Sequence, residues 1–198
     1  MKLSGENLQF LADHSWLQID NAFPESALLD LKSQALGGFE TGQFEPAKVG
    51  RSQEQSRLES IRSDSIWWID FHSPSFKTLK KHLEDLRMDL NEKLFLNLQT
   101  FEAHFTCYQP GQKYDEHVDQ ARLQSPLHGE RVISFVLYLN ENWGRADGGE
   151  LCLHLTHEIP EILPVWNRLM LFQSKEIRHS VKAGKNPRWT LTGWFRRT

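Results

Sequence analysis

The sequence predicts a mainly β protein with flanking α-helices, in which the strands form a double-stranded β-helix, the jelly-roll or cupin-like architecture. Two observations support this fold class. From Phe101 onward, roughly eight short strand-like runs are separated by turn residues, which fits a jelly roll better than an open sheet. Before Phe101, apolar residues recur at steps of three or four, the periodicity of helices. We expect one domain over residues 1–198, with helices and first strands in 1–100 and the core in 101–198.

The N-terminal half contains the predicted helices. Trp16-Leu17-Gln18-Ile19 is expected to be a first strand, and Pro24 then opens a helix that Gly37-Gly38 is expected to close. A longer helix starts near Ser73-Pro74 and carries an apolar stripe, which indicates core packing or, alternatively, a dimer face. The stripe consists of Phe76, Leu79, Leu83, Leu86, Leu90 and Leu94.

A polar segment lies between these helices. Residues Glu45 to Ser60 contain few apolar side chains and are expected to form a mobile loop, either an exposed connection or a lid that binds a substrate. Directly after it, Ile61 to Asp70 is rich in β-branched and aromatic residues, which predicts a strand.

In the C-terminal half, successive side chains alternate in character, as in strands whose two faces have different surroundings. In Phe101 to Tyr108, every second side chain lies on a face that could line a polar cavity. That face carries Glu102, His104, Thr106 and Tyr108. In Arg131 to Asn140, alternation separates apolar residues from a second face with Ser134, Val136 and Tyr138. The other predicted strands are Glu150–Leu155, Arg168–Phe172, Ile177–Val181 and Trp189–Phe195.

Composition narrows the classes of partner. The formal net charge of -3 gives no global basic signal, which argues against nucleic acid. No apolar run approaches the ~20 residues of a membrane span, and Met1 to His14 lacks the apolar region of a signal peptide. Cys107 and Cys152 are expected to be reduced core residues rather than a disulfide. We therefore expect a cytoplasmic protein.

The triplet His117-Val118-Asp119, followed by His179 and Arg188, carries the most chemical information. Positions i and i+2 of a strand share a face, so His117 and Asp119 can bind one metal, and a histidine from a distant strand completes the set. Two histidines and one carboxylate leave three positions of octahedral Fe(II) open for a bidentate co-substrate and dioxygen. The guanidinium of Arg188 suits the far carboxylate of 2-oxoglutarate.

Such a triplet alone is a weak signal, because H-x-D occurs by chance in many chains. The order of the residues strengthens the interpretation. His117 follows the turn-like Gln109-Pro110-Gly111, while His179 and Arg188 flank turn residues and are therefore expected on neighbouring strands. We interpret His117, Asp119 and His179 as the metal-binding and catalytic centre.

Several further segments occur in one order from about Ile61 to the end of the chain. They are Ile61-Arg62-Ser63-Asp64 with Trp68-Ile69, Cys107-Tyr108-Gln109-Pro110-Gly111, Tyr138-Leu139-Asn140, Gly148-Gly149-Glu150-Leu151 and Arg188-Trp189-Thr190-Leu191-Thr192-Gly193-Trp194. With these segments the chain resembles Fe(II)- and 2-oxoglutarate-dependent prolyl hydroxylases of the hypoxia-sensing type, especially their small bacterial relatives.

The resemblance implies roles around the co-substrate. Tyr138 would hydrogen-bond the 2-oxoglutarate carboxylate that Arg188 holds, and a phenol on the inward face of its strand could do that. Tyr108 would lie near the metal and the substrate proline, and the hydroxyl of Thr192 would approach the co-substrate. Leu151, Val181 and Trp194 would be apolar pocket walls, with ordinary core residues as the alternative for the first two.

The resemblance also implies a substrate entrance. Arg62, Asp64 and Arg131 would organise it, with Asp64 paired to Arg131, although a surface ion pair of little effect is the alternative. The polar segment from Glu45 would be a substrate-gripping loop. The chain departs from the animal enzymes at His104, where they carry an apolar residue, and in the longer insert Gln120 to Glu130.

The function so implied is hydroxylation of a prolyl residue of a protein, with release of succinate and CO2. For bacterial relatives the resemblance suggests a translation factor such as elongation factor Tu as the target. Fe(II), 2-oxoglutarate and O2 would be required, and ascorbate is a candidate additional cofactor. The alternatives are a hydroxylase of a small molecule or nucleobase, and a non-catalytic sensor of iron, oxygen or 2-oxoglutarate. We expect no membrane partner, and a monomer or weak dimer.

His154 and His157 lie near Cys152 and could suggest zinc. A zinc site usually requires a cysteine pair or further histidines at fixed spacing, which are missing here. We therefore interpret these histidines as an exposed strand end.

Overall fold

The computed structural model describes residues 2–48, 60–119 and 129–197. The helices are α1 (Gly5–His14), α2 (Glu25–Glu40) and α3 (Lys77–Leu94), with short 3-10 turns at Pro74–Phe76 and Arg145–Asp147. The strands are β1 (Trp16–Ile19), β2 (Glu45–Pro46), β3 (Ser65–Trp68), β4 (Thr100–Tyr108), β5 (Tyr114–His117), β6 (Glu130–Tyr138), β7 (Leu151–His154), β8 (Glu161–Ile162), β9 (Leu169–Gln173), β10 (Arg178–Val181) and β11 (Arg188–Arg197).

Two antiparallel sheets form the framework. The large sheet has the strand order β1-β9-β6-β11-β4-β3-β2, and the small sheet has the order β5-β10-β7-β8. Apolar residues from both sheets, such as Val136 and Leu151, pack into one cluster, so the sheets face each other. The predicted mainly β class with flanking helices and a double-stranded β-helix is therefore confirmed.

Alternation along the strands divides the interior into two layers. In β6, Ile133, Phe135 and Leu137 point to the layer that α2 and α3 cover, whereas Val136 and Tyr138 point between the sheets. This is the division that the sequence predicts. Each of the long strands β4, β6 and β11 thereby presents one face to the helix-covered core and the other to the space between the sheets, which the small sheet covers.

The helix-covered core uses the predicted leucine stripe. Leu79, Leu83, Leu86 and Leu90 are buried against the large sheet, so the stripe is core packing. The cysteines are free and buried, as expected. Within the described residues, no helix combines the length and the apolar character that crossing a membrane requires.

Several element boundaries differ from the predictions. Sequence analysis did not identify α1, whose short apolar face buries only Leu8 and Leu11. The predicted strand from Ile61 to Asp70 is shorter, and Glu45–Pro46 is a strand paired to it rather than part of a loop. Most of the predicted mobile loop (residues 49–59) and of the insert after Asp119 (residues 120–128) lies outside the described residues.

The predicted end of α2 at Gly37-Gly38 is wrong, because the helix continues to Glu40. Gly38 is not a stop but a point of close approach. A Cβ atom added there would lie 2.3 Å from Cζ3 of Trp67. The indole packs among the rings of Phe44, Phe76 and Phe105, so it has little room to move.

Gly38→Ala is therefore expected to lower the free energy of unfolding by roughly 1–3 kcal/mol through overpacking. Gly37→Ala is the matched control, since a Cβ there meets nothing within 4 Å. In the interior of a helix, this control should stabilise the protein by roughly 0.5–1 kcal/mol. Urea unfolding of the two variants measures both effects. Equal stability of the two variants would contradict the close packing of Gly38.

Candidate active site

A pocket that opens to solvent lies between the two sheets, with about 490 Å³ of empty space including its mouth. Every second residue of β11 from Arg188 to Trp194 lines it, together with residues from β4, β5, β7 and β10. The lining residues are Arg62, His104, Thr106, Tyr108, Tyr114, His117, Asp119, Val136, Leu151, His179, Val181, Arg188, Thr190, Thr192 and Trp194. Most of the residues that sequence analysis singled out therefore meet in one pocket.

His117, Asp119 and His179 come together at the wall that β5 and β10 form. One donor atom from each lies within 4.8 Å of the others, and Oδ1 of Asp119 is 3.7 Å from Nε2 of both histidines. Among the described residues this is the one group with the donor set of a metal site. Two imidazoles and one carboxylate on one side of a cavity fit Fe(II) with open coordination positions.

The backbone fixes the ring orientation of both histidines. Nδ1 of His117 lies 2.8 Å from the carbonyl of Asp115, and Nδ1 of His179 lies 3.1 Å from the carbonyl of Ile177. A carbonyl can only accept, so Nδ1 donates in each ring. The Nε2 lone pairs are thereby left for the metal.

The carboxylate of Asp119 is oriented by a buried hydroxyl pair. The hydroxyl of Ser134 donates to Oδ2 at 2.7 Å, and its oxygen lies 2.8 Å from that of Ser174. Burial raises the pKa of Asp119, but the neighbouring His179 and His117 and the hydrogen bond from Ser134 outweigh it and lower the pKa to about 2. The carboxylate is therefore ionised at neutral pH and available to a cation.

The geometry around the triplet differs from the prediction in one respect. His117 is the last residue of β5, and Asp119 lies in the bend that follows. The carboxylate therefore reaches the site because the chain turns, not because both residues share a strand face. Burial, followed by the influence of His179, lowers the pKa of His117 to about 3, so its imidazole is neutral.

Arg188 and Tyr138 form a buried polar pair beside the metal-binding residues. Cζ of Arg188 lies 5.1 Å from the ring of Tyr138 and 5.2 Å from that of Tyr108. Nε of Arg188 and the hydroxyl of Tyr138 are buried without a hydrogen-bond partner within the described part of the chain. Burial raises the pKa of Tyr138, so the hydroxyl remains a donor. Unpaired buried donors are costly, and a carboxylate would satisfy both.

Two more β11 side chains extend this wall. The hydroxyls of Thr190 and Thr192 lie 3.1 Å apart, and both residues line the pocket between Arg188 and Trp194. The third buried side-chain donor without a partner in the described ranges is Nε1 of Trp194. The predicted apolar walls Leu151 and Val181 also line the pocket.

The expected pair of Asp64 with Arg131 is wrong. Asp64 instead accepts two hydrogen bonds from Arg62, at 2.7 and 2.9 Å. Nη2 of Arg131 lies 2.8 Å from Glu102, and its guanidinium packs on the indole of Trp194 with Cζ 3.5 Å from the ring centroid. A closer acid and an aromatic face thus satisfy Arg131, which supports the pocket wall without lining the pocket.

His104, the departure from the animal enzymes, is buried in the pocket wall. Its Nδ1 lies 3.0 Å from the hydroxyl of Thr106, and its ring packs against Trp68 and Trp194. Burial, and next the charge of Arg62, lower its pKa to about 3, so the ring is uncharged. His154 lies outside the pocket, and its Nε2 is 2.9 Å from the hydroxyl oxygen of Ser180. The sequence predicts a strand end at His154 rather than a zinc ligand.

Thr106 and Ser134 were predicted only as members of a strand face, without a role, whereas Thr190 in the wall, Ser174 behind Asp119 and Tyr114 against His117 were not predicted at all. Alternation within β11, from Arg188 through Thr192 to Trp194, puts Thr190 on the inner face, and this signal could have identified it. No local signal identifies Ser174 or the position of Tyr114 under Arg62, because these contacts depend on how distant segments meet.

Comparisons with known proteins agree with this geometry. The model of the 2OG-Fe(II) oxygenase superfamily matches residues 103–196. A prolyl-4-hydroxylase from Pseudomonas putida is 33% identical and superimposes with a TM-score of 0.84, covering 98% of this chain and 98% of that chain. A prolyl hydroxylase from Trichoplax adhaerens, solved in complex with a hypoxia inducible factor oxygen degradation domain peptide fragment, is 25% identical with a TM-score of 0.83, over 96% of this chain and 87% of that chain.

The human protein Egl nine homolog 1 is 29% identical over 167 residues. The alignment covers 79% of this chain but 38% of that protein, so the chain spans less than half the length of this curated relative. The resemblance to prolyl hydroxylases that the residues indicated is confirmed by these matches.

Proposed function

The chain belongs to the 2OG-Fe(II) oxygenase superfamily, and we propose that it is a prolyl hydroxylase that acts on a protein with Fe(II), 2-oxoglutarate and dioxygen. One observation carries the proposal. A single pocket joins a two-histidine, one-carboxylate donor set to Arg188, whose Nε is buried without a partner among the described residues. Tyr138 packs beside the Arg188 guanidinium, and its hydroxyl is a second buried donor of this kind. A metal site alone would suit many enzymes, whereas a buried anion-binding pair beside it suits a dicarboxylate that spans the pocket.

Each group of residues has a separate task. His117, Asp119 and His179 would hold Fe(II) from one side and leave the pocket side open. Arg188 and the hydroxyl of Tyr138 would bind the far carboxylate of 2-oxoglutarate. Bound iron and 2-oxoglutarate supply the oxidising power that transfers one oxygen atom of dioxygen to the substrate, with succinate and CO2 as co-products.

The remaining pocket residues would orient the co-substrate and shield the reacting groups from water. Thr190 and Thr192 of β11 line the pocket, and their hydroxyls would hydrogen-bond the co-substrate, while the ring of Tyr108 lies beside Arg188. Trp194 would form the wall against which the proline ring packs. Exclusion of water protects reactive species from side reactions, which favours coupling to the substrate.

A protein substrate is supported by the Trichoplax relative, which was solved with a peptide. We extend this substrate class to the present chain. Among protein targets, elongation factor Tu is the first to test, because the sequence resembles small bacterial prolyl hydroxylases. We further propose a single-domain monomer or weak dimer in the reducing cytoplasm, where buried Cys107 and Cys152 stay reduced and iron stays ferrous.

The test is incubation of the Fe(II)-loaded protein with 2-oxoglutarate, heavy-isotope dioxygen and either purified elongation factor Tu or lysate from cells that lack the protein. We expect succinate and a peptide with labelled hydroxyproline, and fragmentation of that peptide identifies the target. The His179→Ala variant is the control for uncatalysed oxidation.

Other outcomes would overturn part of the proposal. Succinate without a labelled protein would favour hydroxylation of a small molecule or nucleobase. Absence of both products with iron bound would favour a sensor without turnover.

A further inference from the structure

The backbone supports the two histidines of the site very differently. His179 lies within β10, which pairs with β5 on one side and β7 on the other, and its ring packs on Phe172 at a centroid distance of 4.7 Å. His117 ends β5, the last strand of the small sheet, whose pairing with β10 is irregular and whose other edge meets Arg62 in an isolated bridge at Tyr114. Strand pairing alone therefore fixes His117 less firmly than His179.

A column of side chains packs against His117. The carboxylate of Asp64, 1% exposed, accepts two hydrogen bonds from Arg62. The guanidinium of Arg62 lies over the ring of Tyr114, with Cζ 4.6 Å from the centroid. The ring of Tyr114 stacks on the imidazole of His117 at a centroid distance of 3.5 Å and an angle of 16°. The column thus runs without a gap from a buried carboxylate to a metal-binding residue.

These contacts restrict different degrees of freedom. The paired hydrogen bonds to Asp64 fix the plane of the guanidinium, and a fixed guanidinium favours one placement of the Tyr114 ring. Face-to-face stacking on Tyr114 then sets the tilt of the imidazole. Rotation within the ring plane is set by the hydrogen bond from Nδ1 to the carbonyl of Asp115. Together they determine the direction of the Nε2 lone pair of His117.

We propose that Arg62 and Tyr114 are positioning residues of the iron site, which hold His117 in the orientation that binds the metal. The inference rests on the proposed function for the identity of the metal. Arg62 also lines the pocket and comes two residues after the predicted substrate loop. A substrate that contacts Arg62 would therefore touch a residue that helps to position a metal ligand. By thermodynamic linkage, any change that the substrate makes in metal affinity is matched by an equal change that the metal makes in substrate affinity.

The test titrates the metal-free full chain and its variants with Co(II), whose visible absorption bands report coordination geometry. Tyr114→Leu is expected to weaken Co(II) binding about 10- to 100-fold, the usual cost of losing a group that orients a ligand, and to alter the bands. Tyr114→Phe keeps the ring and should bind close to wild type. Arg62→Leu should weaken binding in the same direction, because the Tyr114 ring loses its outer support.

Phe39→Leu is the control for loss of an aromatic ring. Phe39 packs on Phe44 and Trp189 and does not line the pocket. Each variant is also unfolded in urea without metal, so that lost stability is measured separately from lost affinity. Binding and spectra of Tyr114→Leu equal to wild type would overturn the positioning role, as would a loss no larger than in Phe39→Leu. Failure of the wild type to bind Co(II) would instead overturn the metal site of the proposed function and the column with it.

Discussion

His179→Ala is expected to abolish both metal binding and turnover. The side chain is 6% exposed, and its Nδ1 donates a hydrogen bond to a backbone carbonyl. Nε2 is therefore the ring nitrogen that can bind a metal in the pocket. Loss of a group behind a ligand typically costs 10- to 100-fold in metal affinity, and loss of the ligand itself should cost more than about 100-fold. Anaerobic titration with Fe(II) and succinate formation measure the two effects independently. Asp119→Ala should behave in the same way.

The control for this prediction is His154→Ala, on the neighbouring strand β7. His154 contacts Ser180 and faces Glu116, but it does not line the pocket. This variant should therefore keep Fe(II) affinity and turnover. Undiminished activity in His179→Ala would refute the metal assignment. An equal loss in both variants would show that disruption of the small sheet, rather than loss of a ligand, is what the assay detects.

Arg188→Ala is expected to raise the 2-oxoglutarate concentration needed for half-maximal turnover by roughly 10- to 100-fold. Hydrogen bonds to charged groups contribute about 1.5–3 kcal/mol, and each 1.4 kcal/mol is about a factor of ten. Arg188 is 2% exposed, so solvent screens its charge little. Because Arg188 is not one of the metal-binding residues, the effect should fall mainly on co-substrate binding and leave Fe(II) affinity close to wild type.

Two further variants make this result specific. Tyr138→Phe removes only a hydroxyl, so it should raise the 2-oxoglutarate requirement in the same direction but less. Arg197→Ala is the matched control, since Arg197 lies on the same strand but pairs with Glu130 outside the pocket. Co-substrate dependence unchanged in Arg188→Ala would contradict the anion-binding role. A loss of Fe(II) affinity equal to that of His179→Ala would mean that Arg188 supports the structure of the metal site rather than binding 2-oxoglutarate.

The sequence was sufficient for features that depend on local pattern. Strand alternation predicted which face of β6 looks between the sheets, and the three-to-four spacing predicted the buried stripe of α3. The residue types of His117, Asp119 and His179, together with their order among strand-like runs and turns, predicted a metal site, because this donor set suits ferrous iron. Arg188 was identifiable for a similar reason, since its fork suits a carboxylate. These properties belong to single residues and their near neighbours.

Tertiary structure decided the features that depend on where distant segments meet. Gly38 has the local character of a helix end, but the indole of Trp67 rather than a turn requires a glycine there. Arg131 has the character of a partner for Asp64, yet Glu102 and Trp194 lie closer. The guanidinium of Arg62 lies over the ring of Tyr114, a residue of β5 far along the chain. Which side chains contact each other depends on their distance and burial in the folded protein. Neither can be read from the spacing of residues along the sequence.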